Sequence, residues 1–445
     1  MTGVKLRTTM IAALLALAGA QPAQAISLMQ AYEAALQHDP TYRSALHEYE
    51  SGIESQVLGR SALLPNISAS YANSRVEADV VYITNGLETP TRELEYRSKS
   101  AIIQLRQPVF SLEAIARYHQ GLAQTDYASA VFASRKQDLI VRLAAAYTEA
   151  LFAHTQLRLA EVQRDVYAEQ QSVNDRLFEK GEGTKTDMLE TQARLDLAEA
   201  QVLEAKDNVQ TSLAALSALV GQEVTAVDDV AREFRIATDA VLRFDEWRDI
   251  ALRTNPDIIA MGFAVASTRE EINKARAGHT PRIDLVASYA KNNSDTLNTY
   301  NQDSKQKSIG FQLTMPLYSG GAVSAAARQA VAGNEKAKAE QQATTDKVLV
   351  ELRKQHALVQ SSVARIRALD KAVTSGELLV HATEQSIKGG VRINLDLLNA
   401  QQQLSTSQRD LAQARYNYLL GLLKLRAAAG VLDVEALREV AAYFR

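Results

Sequence analysis

The chain carries the same landmarks twice in the same order, so any fold it adopts must be built from two similar halves. Leu28 to Leu36 precede Asp39 and Pro40, and Phe244 to Leu252 precede Asn255 and Pro256, at an offset of 216 positions. Pro65 and Pro281 keep that offset, and each opens an alternating segment. Gln104, Leu105, Pro108 and Ser111 then match Gln312, Leu313, Pro316 and Ser319 at 208, as Lys180 and Gly181 match Lys388 and Gly389. Asp187, Leu189, Gln192, Leu195 and Gly221 match Asp396, Leu398, Gln401, Leu404 and Gly430 at 209. The lost residues fall in a loop.

Each half reads as helix, two strands, very long helix, turn, helix. Helices are expected at 28–64, 113–180, 187–220, 244–279, 322–388 and 395–429. Strands are expected at 66–82, 95–109, 282–297 and 306–318. Ile309, Phe311, Leu313 and Met315 alternate with Ser308, Gly310, Gln312 and Thr314, the period of a strand with unlike faces. Ile283, Leu285, Ala287 and Tyr289 oppose Asp284 and Ser288, with Val286 as an exception, and Ile67, Ala69 and Tyr71 oppose Ser68 and Ser70. Asn85 and Gly86 mark a turn. An apolar face opposite small polar residues suits a lipid-facing, water-lumened wall; the alternative is a half-buried sheet.

The long helices rest on spacing and on absence. Ile140, Leu143, Tyr147 and Leu151 recur at heptad-like intervals, as do Val359, Val363, Ile366 and Val373. No Gly or Pro lies between Gly121 and Gly181, which predicts a rod of about 100 Å. Such a rod cannot bury itself and must pack along partners. Gly181, Gly183, Gly389 and Gly390 punctuate the turns after the rods and suit left-handed helix ends, with Thr186 or Asp187 as the cap of the next helix.

Residues 1–25 read as a secretory signal. Lys5 and Arg7 precede a short apolar run, and Ala23 to Ala25 supply the small-residue cleavage pattern. Net charge is −3, and loss of those two cations makes it −5. There is no basic block for nucleic acid and no cysteine for a disulfide, thiolate or lipid anchor. The 7 His residues are scattered, no metal-ligand spacing or catalytic motif appears, and neither an enzyme nor a cofactor is expected. Trp247 is expected to be a packing residue. The domains are read as signal 1–25, first repeat 26–240, second repeat 241–430 and a short tail 431–445.

Four strands cannot close a barrel, and open edges cannot face lipid. Sister copies must complete the wall, and three copies would supply twelve strands. The order of elements resembles the TolC-like outer-membrane efflux proteins. So do Gly390, Asp396, Leu398, Ala400 and Gln401, their first-half matches Gly181, Asp187, Leu189, Thr191 and Gln192, and the segment Ala412–Leu419. The resemblance covers residues 26–430. It implies an α+β membrane protein, in which long antiparallel α-helical hairpins form a tunnel and four strands per chain join a trimeric twelve-stranded β-barrel. The unlipidated start and short tail are most similar to the exit ducts of type I secretion, which work with an inner-membrane ABC transporter and a membrane-fusion adaptor. A drug- or metal-efflux duct and a periplasmic coiled-coil protein without a pore are the alternatives.

The resemblance also implies site residues. Asp396 would line the constriction at the hairpin tips, with Asn399 where the family has a second acid. Arg392 and Asp187 would form a latch between hairpins. Gly181, Gly183, Gly389 and Gly390 would lie at the adaptor-docking tips. Three copies of Asp396 around an axis would favour bound cations; a plain helix-capping role is the alternative for Asp187 and Asp396.

Overall fold

The computed structural model describes residues 25–444 apart from 82, 85, 89, 231–233, 235–242, 295–301 and 390. Most of the segment read as a signal, together with Asn85 and Gly390, lies outside the described residues. In chain order the first half contains α1 (Leu28–His38), α2 (Pro40–Ser61), β1 (Asn66–Val80), the short β2 (Ile83–Thr84) and β3 (Leu87–Glu88), β4 (Arg92–Phe110), α3 (Leu112–Glu179) and α4 (Lys185–Val220). The second contains α5 (Phe244–Thr254), α6 (Pro256–Ala277), β5 (Arg282–Ser294), β6 (Gln302–Thr314), α7 (Ala322–Lys388) and α8 (Asn394–Ala429), followed by α9 (Val434–Ala441). Two compact units result. One takes the chain up to His47, Phe132–Ile258 and everything from Thr345; the other takes Glu48–Val131 and Ile259–Thr344.

The first unit is built on the expected seams. Leu139, Ile140, Leu143, Tyr147 and Leu151 of α3 are buried with Leu352, Val359 and Ile366 of α7 and with Leu419 and Leu423 of α8. Trp247 and Tyr32 are buried in the same core. The tail does more than trail away. Asp433 caps α9 through Ala436 N–H at 2.8 Å, Leu437 and Val440 are buried, and Phe444 packs 5.5 Å from the Tyr147 ring. The Tyr147 hydroxyl donates to Ile26 O at 3.0 Å and accepts from Asp228 N–H at 3.1 Å.

Each expected first helix of a half is in fact two helices, because Pro40 and Pro256 offer no N–H and the preceding residue is extended. The residue before each proline caps the new helix. Asp39 accepts from Tyr42 N–H at 3.0 Å and Thr41 N–H at 3.4 Å, and Asn255 accepts from Asp257 and Ile258 at 3.0 and 3.2 Å. The duplication extends to the ends of α4 and α8. Gly221 and Gly430 are left-handed, with φ of 76° and 77°. A Cβ on Gly221 would lie 2.4 Å from His38 Cβ, and one on Gly430 would lie 2.4 Å from Asn255 Cα. Only glycine lets each helix end butt against the break between its short helices.

In the second unit, α2 and α3 approach at small residues: a Cβ on Gly59 would stand 2.8 Å from Arg117 O and 3.3 Å from Gly121 Cα. Here too Asn334 of α7 donates to Val265 O and Thr268 Oγ1 of α6 at 3.1 and 2.9 Å.

The sheet is antiparallel in the order β1-β4-β5-β6. Its register places Ile67, Tyr71, Ile103, Ile309, Phe311 and Leu313 on one exposed face. The opposite face carries Ser68, Ser70, Ser100, Ser288, Ser308 and Gln312. Val286 sits on this polar face between Arg106 and Gly310. Asp284 is fully buried and takes Arg106 Nη2 at 2.6 Å and Arg282 Nε at 3.0 Å. β6 ends at Thr314, so Met315 lies just beyond it. No helix among the described residues is long and apolar enough to cross a membrane.

Asp39 tests the break in the first half. It is buried, and burial opposes its ionisation; Arg142 Nη2 at 2.6 Å and the N–H groups of Tyr42 and Thr41 outweigh that and hold its carboxyl below the usual range. The unfolded chain therefore takes up this proton first as pH falls. The contribution is complete above the ordinary carboxylate value of about 4 and is lost as pH drops through the folded value. Asp39→Asn should cost about 1–3 kcal/mol near pH 7, and its deficit against the unchanged protein should shrink below about pH 4. Denaturant unfolding in detergent across that range checks both, and a deficit independent of pH would contradict the assignment.

Candidate functional site at the hairpin tips

The first tip is shaped by backbone hydrogen bonds. α3 ends at Glu179, Gly181 turns left-handed with φ of 76°, and Gly181 and Glu182 N–H donate to Phe178 and Leu177 O, both at 2.9 Å. Gly183 fits closely, since a Cβ there would stand 3.0 Å from Phe178 N, a tight contact. The cap of α4 is Thr184, not Thr186 or Asp187. Its Oγ1 accepts from Asp187 N–H at 3.1 Å and donates to Asp187 Oδ2 at 2.5 Å. The Asp187 carboxylate thus sits in the first turn, where the helix dipole favours it.

The second tip is built differently. α7 ends with Gly389 N–H on Gln385 O at 3.1 Å, and Gly389 keeps negative φ, so the left-handed ending expected there does not occur at this glycine. α8 starts at Asn394 after Ile393, which has no side chain able to cap it. Arg392 Nη1 lies 3.9 Å from Asp396 Oδ2, both half-exposed. Asn399 Oδ1 accepts from Arg194 Nη2 of α4 at 3.2 Å. Among the described residues Arg392 and Asp187 form no ion pair within the chain: each expected latch residue is held at its own tip.

The hairpins are joined by a small apolar cluster of Tyr167, Leu195, Ala198 and Leu398 and by a polar seam that the sequence reading missed. Thr191 is fully buried. Its Oγ1 accepts from Asn174 Nδ2 at 2.7 Å and Asn394 Nδ2 at 3.2 Å and donates to Asp187 O at 2.8 Å. Gln170 Nε2 donates to Asn394 Oδ1 at 2.6 Å. Farther along α3, Gln163 hydrogen-bonds Gln402, Tyr167 and Ser405, and Thr155 meets the Tyr416 hydroxyl at 3.1 Å. Positions 155, 163, 167, 170 and 174 continue the helical spacing of Tyr147 and Leu151. The signal was present as Gln, Asn and Thr on a stripe whose first half is apolar. Thr191 itself stands where the second half has Ala400.

These bonds make Thr191 a sensitive probe. Thr191→Val keeps the shape and removes the acceptor, leaving the buried Asn174 amide short of a partner at a cost of about 1–3 kcal/mol. Hydrogen exchange of the amides between Asn174 and Thr191 should quicken accordingly; unchanged exchange would mean the seam does not hold the tip.

Comparison with known proteins places this geometry. The family described as outer membrane efflux protein matches residues 31–222 and 247–431. Over 426 residues the chain is 41% identical to the alkaline protease secretion protein AprF of Pseudomonas aeruginosa, covering 95% of this chain and 88% of that one. It is 36% identical over 442 residues to the proteases secretion protein PrtF of Dickeya chrysanthemi, covering 99% and 95%. Its fold is similar to the crystal structure of the Campylobacter jejuni CmeC outer membrane channel, with a TM-score of 0.79 at 16% identity, covering 94% of this chain and 90% of that one. With both halves matched and relatives of this similarity along nearly its whole length, the chain belongs to the outer membrane efflux protein family.

Proposed function

We propose that three copies of this chain form the outer-membrane exit duct of a type I secretion system, taking a protein substrate from an inner-membrane ABC transporter and a membrane-fusion adaptor. As a member of its family the chain is an outer-membrane transport protein and not an enzyme. The observation that carries the duct is the sheet. Near the helices its strands are apolar on one face and mainly polar on the other, and among the described residues β1 pairs only with β4 and β6 only with β5. Edges of that kind cannot remain open in hydrocarbon. Pairing β6 of one copy with β1 of the next closes twelve strands without a new element. The narrower placement in protein secretion draws support from the names of AprF and PrtF, both secretion proteins for proteases.

In this reading residues 1–25 are removed after Ala25, 26–240 and 241–430 are the two repeats, and the tips face the periplasm. Asp396 and Asn399 line the narrow end. Arg392, 3.9 Å from Asp396, forms the latch with Asp187 of the other hairpin when the narrow end closes. Gly181, Gly183, Gly389 and Gly390 lie at the surface the adaptor meets.

Mass measurement in detergent should give a trimer, and planar bilayers should show discrete conductance. Asp396→Asn should lower the preference for cations over anions, and Arg392→Ser should raise the conducting fraction. A monomer with no bilayer activity would overturn the duct. Unchanged selectivity and gating in a conducting trimer would overturn only the residue roles. Co-expression with an ABC exporter and adaptor should release protein substrate into the medium, and release without this chain would defeat the secretion assignment.

A further inference from the structure

The apolar face of the sheet changes chemistry in tiers along its strands. Nearest the helices, the rows are Ile283 with Leu313 and Leu285 with Phe311, then Ile67 with Leu105 and Ala287 with Ile309. Beyond them the same face turns cationic. Lys307 lies across from Tyr289, Lys291 across from Lys305, Lys99 across from Asn293, and Arg75 across from Arg97. All six cations are exposed, and among the described residues Asp303 is the one carboxylate in these rows. The following rows are acidic, with Glu77 facing Glu95 and Asp79 facing Glu93.

Three observations mark the cationic tier as a surface for an external anion. Like charges directly opposite each other destabilise a sheet, yet Lys291 faces Lys305 and Arg75 faces Arg97. Arg75 finds Glu95 at 2.5 Å, but among the described residues the four lysines make no ion pair. Lys307 Nζ stands over the Tyr289 ring, 6.0 Å from its centroid, a cation–π distance at the rim of the apolar band. The height also fits. Eight residues separate Met315 from Lys307, about 27 Å of strand and roughly 20 Å along a membrane normal after tilt. The tier therefore begins where hydrocarbon ends and lipid headgroups begin, at the end of the strands away from the helices.

We propose that this tier is a binding belt for the phosphate groups of phosphorylated outer-leaflet lipid, with Lys99, Lys291, Lys305 and Lys307 as its principal contacts. The belt rests on the reading of the sheet as part of a membrane barrel. Point-charge ammonium groups spread over three adjacent rows match a layer of phosphates, and each basic residue near such a surface adds to the attraction. The acidic tier beyond repels the same phosphates and fixes the depth at which the barrel rides.

The test uses the full chain purified in detergent and reconstituted into phosphatidylcholine vesicles doped with bisphosphorylated lipid A or with its dephosphorylated form. Lipid retained after re-extraction is counted by native mass spectrometry. The unchanged protein should retain the phosphorylated form at least about tenfold better than a variant combining Lys99→Gln, Lys291→Gln, Lys305→Gln and Lys307→Gln. It should show no such preference for the dephosphorylated form, and added inorganic phosphate should not compete. Arginine at the same four positions should keep retention, which controls for folding. Equal retention by the unchanged and glutamine proteins, or equal retention of the two lipids, overturns the belt. Conductance in undoped vesicles separates the two readings: channels that conduct without lipid preference refute the belt alone, whereas no insertion by any version refutes the barrel and the belt with it.

Discussion

The outer hydrogen-bonding edges of β1 and β6 are the constraint to which the rest of the molecule answers. Each edge carries a row of N–H and C=O groups that no segment of the chain covers among the described residues. In water such edges invite aggregation; in hydrocarbon each unpaired group costs several kcal/mol. A sheet so short can be stable in a membrane only as a fraction of a closed wall. The duplication supplies two similar strand pairs, β1 with β4 and β5 with β6. Joined side by side through β4 and β5, they leave two ends that suit each other's copies.

The same duplication shows how equivalent positions diverge under one mechanical demand. The chain must break before Pro40 and before Pro256, and both breaks need a cap. In the first half the cap is a buried carboxylate that requires Arg142. In the second it is an amide, Asn255, whose Nδ2 donates to Ala428 O at 2.9 Å and needs no counter-ion. A charged solution and a neutral one meet the same geometric need. The glycines at the ends of α4 and α8 did not diverge, because no other residue accepts both the left-handed backbone and the close approach of the neighbouring chain.

Much of the fold was legible because its signals are periodic. Alternation marked the strands and their faces, and heptad spacing with no Gly or Pro marked the rods. What escaped depended on local competition or on distant partners. The breaks at Asp39 and Asn255 were hidden by apolar residues continuing past each proline. α9 was too short to announce itself, though Asp433 and the spacing of Leu437 and Val440 carried it. At the tips the glycine-marked turns were visible, but Thr184 captured the capping role because its hydroxyl reaches Asp187 first. The partners of Arg392, Asn399 and Asn394 could not be read, since each is fixed by which helix lies alongside. The cationic rows emerged only once the register set Lys291 against Lys305.

The change of character along the inner stripe of α3 has a consequence for hydration. Between Leu139 and Leu151 the stripe is hydrocarbon apart from the Tyr147 hydroxyl, and parting it from its neighbours exposes mainly apolar surface with no compensation. From Thr155 to Asn174 it is mostly amide and hydroxyl, with the Tyr167 ring as its apolar member, and water entering there can replace each lost hydrogen bond with one of nearly equal strength. The two stretches of one continuous helix thus differ in how readily solvent can pry them from their neighbours. The wettable stretch is the one that ends at the tips, and the dry stretch is the clamp that keeps a loosened end attached to a closed middle.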